Sequence, residues 1–195
     1  LTYILSLLNR WKAQDGSNNS RQILDVGCGD GLFFPDLETL GSVRGVEADD
    51  RIVDPNGPYF DRIHLGRFDD SYQTNQPFDW IVMLDVLEHI PDATTALKKA
   101  RDLLNPDGRL LLTVPAFNLL WTKHDDFNHH ITRYTKRLMG QQACQAGFEI
   151  ENQHYLFHWT FPAKLLVRLK ESLSPATPKP ASLPGKVSNA ILKII

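Results

Sequence analysis

Cysteine is scarce in this chain. Of 195 residues only Cys28 and Cys144 carry a thiol, and they form no C-x-x-C pair. Two thiols make no disulfide framework and give no zinc-ligand spacing, so a reducing, cytoplasmic setting is expected over an export route. No uncharged apolar run approaches the ~18 residues of a membrane span. Neither charge dominates: 21 Lys+Arg against 23 Asp+Glu leave a net charge of −2. That balance argues against a general nucleic-acid binder, which needs a basic face to neutralise phosphates. With 42% hydrophobic and 23% charged residues, collagen-like, disordered and disulfide-stapled classes are excluded. A single globular unit of this length buries ~70% of its extended surface. The first residue is Leu1 and not Met, so the sequence is read as a piece of a longer protein with any targeting segment outside it.

What is present is an alternating pattern. Ile4, Leu7, Leu8 and Trp11 recur at helical spacing within 3–12. Short apolar runs follow at Ile23–Val26, Val43–Val46, Trp80–Leu84 and Leu110–Val114, each too continuous for a half-exposed strand and so read as strands buried on both faces. A helix runs between the last two, capped by Asp92, with Ala93, Ala96, Leu97 and Ala100 on its stripe. Asn105-Pro106-Asp107-Gly108 is expected to end it and turn the chain. A further helix over 136–145 ends at Gly147, before a strand-like stretch, Phe148–Tyr155. Strand–helix–strand repetition implies parallel strands joined by crossover helices, hence an open α/β sheet. Beyond it lie an aromatic cluster (Phe157, Trp159, Phe161), a helix over 163–173, and a linker with prolines at 175, 178, 180 and 184.

The most informative segment is Asp25-Val26-Gly27-Cys28-Gly29-Asp30-Gly31, where a buried strand enters a glycine-rich turn and then a helix. Glycine is needed where the backbone takes a left-handed conformation or must touch a ligand. The spacing is G-x-G-x-G, not the G-x-G-x-x-G of a dinucleotide pyrophosphate site. One or two glycines would suit a plain βα turn; three, preceded by Asp25, favour a ligand. Glu47, 20 residues after Gly27 at the end of the next strand, stands where a carboxylate can accept both hydroxyls of a ribose.

This segment resembles the first motif of class I S-adenosylmethionine-dependent methyltransferases. Phe78 to Ile90, with Leu84-Asp85-Val86-Leu87-Glu88-His89 at its end, is similar to the family's fourth strand and following loop, and Leu104 to Pro115 to the entry of its fifth. The resemblance spans about 22–155 in the family's order, and Trp121 to Tyr134 is similar to a small-molecule type within the superfamily. It implies a Rossmann-like open, mostly parallel sheet flanked by helices, with a C-terminal helical extension. Residues 1–160 would form the cofactor domain. Residues 161–195 would add a helix, the Pro-rich linker and an apolar tail, as part of the same domain.

The same resemblance implies roles. Gly27, Gly29 and Gly31 would let the methionine part of S-adenosylmethionine lie against the turn. Asp25 would hold its amino end through water, Glu47 the ribose hydroxyls, and Leu84 and Asp85 the methionine tail. The loop that usually offers a carboxylate to the adenine carries Arg67 at the aligned position, so Asp69, or the Phe68 backbone, is expected there. Family members end on an antiparallel seventh strand beside the sixth. Nothing after Tyr155 reads as that strand, and continuation past Ile195 is expected.

Methyl transfer to a small-molecule acceptor would leave S-adenosylhomocysteine. A hydroxyl acceptor must also lose a proton, for which a base near neutral pKa contributes ~10²–10⁴-fold. Three of the seven histidines, His124, His129 and His130, lie within seven residues of the loop after the fifth strand, beside Asp125 and Asp126. His124 and His129 are catalytic candidates together with His89, for which a supporting role in the neighbouring loop is as good a reading. His130, Arg133 and Tyr134 are candidates for the acceptor, with a surface ion pair and packing as the plainer readings of the last two. The loop has metal-ligand residue types but no H-E-x-x-H or similar spacing, so no metal is expected. The apolar segment around 157–173 reads as core, an acceptor pocket, a dimer face, or a peripheral membrane contact through Lys164, Arg168 and Lys170. A protein that binds the cofactor without transfer and an NAD(P)-dependent oxidoreductase are the alternatives. The second lacks both its glycine spacing and a Tyr-x-x-x-Lys pair.

Overall fold

The structure, a computed structural model, describes residues 2–15, 20–156 and 161–173. The described residues divide into two compact units: 2–15, 20–119 and 130–156 in the first, and 120–129 with 161–173 in the second.

The first unit is built on five parallel strands: β1 (Arg21–Val26), β2 (Gly41–Glu47), β3 (Ile63–Leu65), β4 (Phe78–Leu84) and β5 (Leu104–Thr113), in the order β3-β2-β1-β4-β5. Its helices are α1 (Thr2–Asp15), α2 (Phe34–Leu37), α3 (Ala93–Leu103) and α5 (Lys136–Gln145). The second unit contains α4 (Lys123–Phe127) and α6 (Phe161–Leu173).

The four apolar runs are strands because both sheet faces are covered, and their side chains divide with a period of two. Trp80 and Val82 of β4, with Ile23 of β1, join Ile4 and Leu8 of α1 and Phe34 and Leu37 of α2. Ile81 and Met83, with Leu24 and Val26, pack instead on Ala96, Leu97 and Ala100 of α3 and Met139 and Ala143 of α5. The result is three layers, helix–sheet–helix. Asp92 caps α3 by accepting from the Thr95 amide at 3.0 Å, and Thr135 caps α5 by accepting from Leu138 at 3.2 Å. Gly147, with φ of 85°, follows the end of α5.

Three expectations change. Asn105-Pro106-Asp107-Gly108 does not separate α3 from a later strand. β5 already pairs at Leu104, opposite Phe78, and resumes at Arg109, opposite Trp80, so the four residues bulge out of one strand. The α1 helix is longer than its apolar stripe. Phe148–Tyr155 forms no strand. Here side chains hold the chain instead: Gln153 donates to the Lys136 carbonyl at 3.0 Å, and the Tyr155 ring lies 4.7 Å from that of Phe117. The segment 157–160 and everything past 173, including the aromatics Phe157 and Trp159, the Pro-rich linker and the expected seventh-strand region, lie outside the described residues.

In the second unit, Asp125 is buried and closes the first turn of α4, accepting from the Thr122 amide at 2.8 Å and its hydroxyl at 3.1 Å. Arg168 of α6 donates to the Trp121 carbonyl at 2.9 Å, while Leu166 and Val167 are exposed. Among the described residues no helix is long and apolar enough to cross a membrane.

Candidate active site

The strand order places β1 and β4 side by side, although the chain leaves β1 towards β2 and β3 before crossing to β4. Crossovers therefore depart in opposite directions at this pair, and their carboxyl ends open into a crevice. The glycine turn leaves β1 at that crevice, and Asp85 leaves β4 there.

Gly27, Gly29 and Gly31 all take left-handed backbone, with φ of 72°, 56° and 74°. What lies beside each differs. A Cβ on Gly27 would overlap Val86 Cγ2, and one on Gly31 would meet the Tyr59 ring at 2.9 Å, so these two admit protein neighbours. A Cβ on Gly29 would find only Ile52 Cδ1, at 3.9 Å. Gly29 is thus the glycine whose open side suits a ligand lying against the backbone.

Glu47, buried at the end of β2, is bound to this turn. One carboxylate oxygen accepts from the Gly29 amide at 2.8 Å and the other from the Asp49 amide at 2.9 Å. Each oxygen retains a lone pair for a further donor such as a ribose hydroxyl. Asp25, only 4% exposed, lies in β1 beneath the turn. Burial first, and then the Glu47 carboxylate, push its carboxyl up to about 7. The same burial, with Asp25 and Glu47, pushes the Cys28 thiol up to about 12. A dry, electronegative floor under a glycine turn suits a ligand bearing an ammonium and a sulfonium charge.

At β4, Leu84 is the last strand residue. Asp85 follows in left-handed backbone, φ 54°, and is tied to β5: its amide donates to the Thr113 carbonyl at 3.1 Å, and the Thr113 hydroxyl donates to its carboxylate at 3.1 Å. Past β3, Phe68 is buried. Asp69 accepts from the Ser71 hydroxyl at 2.7 Å and amide at 2.9 Å, bonds that hold its carboxyl below the usual range with help from Arg67, 3.6 Å away.

Within the first unit, the segment 130–135 is tied both to the turn after β4 and to the segment that leaves β5. The Ile131 amide donates to the Glu88 carbonyl at 2.8 Å. The Tyr134 amide donates to the Pro115 carbonyl at 2.8 Å, and the Tyr134 carbonyl accepts from Phe117 at 2.9 Å. Arg133, 5% exposed, donates from Nη1 to the Ala116 carbonyl at 2.9 Å. The buried Tyr134 hydroxyl, pushed up to about 12 by burial and then by Glu88, lies 3.4 Å from the Leu87 carbonyl.

These clamps bring His130 beside the turn Leu87–His89. The rings of His89 and His130 lie 4.9 Å apart, and His130 Nε2 is 4.0 Å from Glu88 Oε1. The donor atoms of Glu88, His89 and His130 all fall within 4.8 Å of one another. Spacing in the sequence does not reveal this set, and Glu88 is a site residue that sequence reasoning misses; its one signal is a carboxylate inside the apolar run Val86 to Ile90. His124 and His129 belong to the second unit. His124 is exposed on α4 with Nε2 2.9 Å from the side-chain Nδ2 of Asn128, and Asp125 caps the helix. His129 is exposed and left-handed, φ 57°.

The sequence model of a methyltransferase domain matches residues 3–153. The chain belongs to the methyltransferase-domain family. Its cofactor is S-adenosylmethionine, whose cradle and acidic anchor the glycine turn and Glu47 fit. Among curated relatives, the ubiquinone biosynthesis O-methyltransferase of Coxiella burnetii is 30% identical over 103 residues, covering 48% of this chain and 43% of that protein. The enzyme of the same name from Bradyrhizobium diazoefficiens is 29% identical over 106 residues, covering 51% and 41%. The chain therefore spans less than half the length of these relatives. A TehB-like methyltransferase of Corynebacterium glutamicum shares the fold with a TM-score of 0.55 and 22% identity, over 73% of each chain. Haemonchus contortus phosphoethanolamine N-methyltransferase 2, solved with S-adenosylmethionine, shares it with a TM-score of 0.59 and 16% identity, over 91% of this chain and 44% of that one.

Proposed function

We propose that this methyltransferase transfers the methyl group of S-adenosylmethionine to a hydroxyl oxygen of a small apolar acceptor, in the cytoplasm. The observation that carries the reading is the open side of Gly29 with Glu47 bonded to its amide, at the crevice between β1 and β4. The choice of oxygen draws on the curated relatives, named as O-methyltransferases.

The sulfonium is already an activated electrophile. The carbon–sulfur bond breaks as the oxygen–carbon bond forms in line, the electron pair stays on sulfur, and S-adenosylhomocysteine leaves. Holding the two reactants in line supplies up to ~7–11 kcal/mol of the acceleration. In the cofactor site the turn of Gly27, Gly29 and Gly31 receives the methionine part, Glu47 the ribose hydroxyls, Asp25 the amino end through water, Leu84 and Asp85 the methionine tail, and Phe68 or Asp69 the adenine. The acceptor proton falls to His89, in the turn that follows β4.

Turnover with S-adenosylmethionine against phenols, quinols, amines and carboxylates, with products identified by mass spectrometry, tests this. Methylated phenol or quinol with equimolar S-adenosylhomocysteine is expected. Methylation confined to amines would overturn the oxygen assignment; cofactor binding without any product would leave a non-catalytic binding protein.

A further inference from the structure

Glu88, His89 and His130 combine one carboxylate and two imidazoles in a first-unit cluster at the mouth of the sheet. We propose that they form a binding site for a divalent transition-metal ion, with Zn²⁺ as the reference ion. Two nitrogens and one oxygen are the donor set that suits borderline cations, and three protein ligands leave open positions for water or an acceptor oxygen.

Three features carry the proposal. The donor atoms already lie within 4.8 Å of one another. Tetrahedral ligation at ~2.1 Å puts ligand atoms about 3.4 Å apart, so each needs an inward shift of about 0.8 Å, within reach of small ring rotations. The site is held by backbone bonds and not by the side chains alone. The Ile131 amide donates to the Glu88 carbonyl at 2.8 Å, and so fixes two segments, forty-odd residues apart in sequence, at the positions next to both imidazoles. The anchor is also dry. Glu88 is 1% exposed, and a dehydrated carboxylate gains more from a divalent ion than one in water. His130 is half-buried and His89 exposed, which leaves an entry path on the solvent side.

With the ion bound, His89 is a ligand rather than a free base. Only this consequence rests on the O-methylation reading; ion binding itself does not.

The test uses the full chain stripped with chelator. Zn²⁺ binding is measured by calorimetry, and Co²⁺ is used as a spectroscopic probe. One ion per chain is expected, with Co²⁺ giving visible absorption of four- or five-coordinate character that Zn²⁺ abolishes. Glu88→Gln and, separately, His130→Ala should each weaken Zn²⁺ binding at least about 100-fold, with S-adenosylhomocysteine affinity held within about twofold as the check that the fold is intact. Should Glu88→Gln fail to fold, the half-buried His130 position still decides. Cys144→Ser should leave Zn²⁺ affinity unchanged. Absence of binding, equal affinity in the His130 variant, or loss of affinity in Cys144→Ser would each overturn the site, whether or not any acceptor is methylated.

Discussion

Glu47→Gln separates two things that one carboxylate does. In the structure its oxygens accept from the Gly29 and Asp49 amides at 2.8 and 2.9 Å. Glutamine keeps one acceptor oxygen and turns an amide NH₂ towards the other backbone N–H. One charge-assisted bond is lost and two donors face each other, a cost of ~1.5–3 kcal/mol in stability. A ribose hydroxyl that donates to the same carboxylate loses a comparable amount, so affinity for S-adenosylhomocysteine should fall about 10- to 100-fold. Urea unfolding followed by circular dichroism gives the first quantity, and calorimetry well below the melting temperature gives the second. A variant that loses stability yet binds S-adenosylhomocysteine within about twofold of the parent would refute the reasoning. Glu47 would then only brace the turn.

Gly29→Val should weaken S-adenosylhomocysteine binding sharply, because it fills the open side of the turn and forces a β-branched residue to a φ of 56°; unchanged affinity would show the turn to be unrelated to the cofactor. Asp25 titrates at about 7 in the fold against an ordinary 3.8. The folded chain thus holds this proton more tightly than the unfolded chain, so the group's contribution is full below about pH 4 and is lost as pH rises through about 7, a swing of ~4 kcal/mol. Asp25→Asn should flatten the unfolding free energy over that window, and an unaltered slope would assign the effect elsewhere. Cys28, pushed up to about 12, should hold about one thiolate in 10⁴ at pH 8. Iodoacetamide followed by mass spectrometry should therefore label the exposed Cys144 while Cys28 stays unmodified until the chain unfolds.

The fold was legible where burial speaks through composition. Ile23–Val26 and Trp80–Leu84 are continuously apolar because both faces of a parallel sheet are covered, and the order of the motifs placed them. The three-residue β3 is too short to carry a pattern; its middle and last residues, His64 and Leu65, are exposed. Phe148–Tyr155 reads as a strand from its β-formers, yet Ile150 and Tyr155 end exposed and side-chain bonds replace the ladder. The glycine turn and Glu47 were legible because special backbone and strand ends leave local marks. Which glycine faces open space was not, since Val86 and Tyr59 reach Gly27 and Gly31 from remote segments. The Glu88–His130 apposition was hidden for the same reason: it is made by a loop returning to a strand end, and no local spacing encodes it.

The central position of β1 has a consequence for synthesis. Ile23 pairs with Val43 on one side and with Trp80 on the other. A nascent chain that has emerged only as far as β3 carries three of the five strands, with one flank of β1 unpaired. That flank is a template for another copy until β4 arrives. Fragments ending before Phe78 should therefore clump, while those that include β4 close the seam.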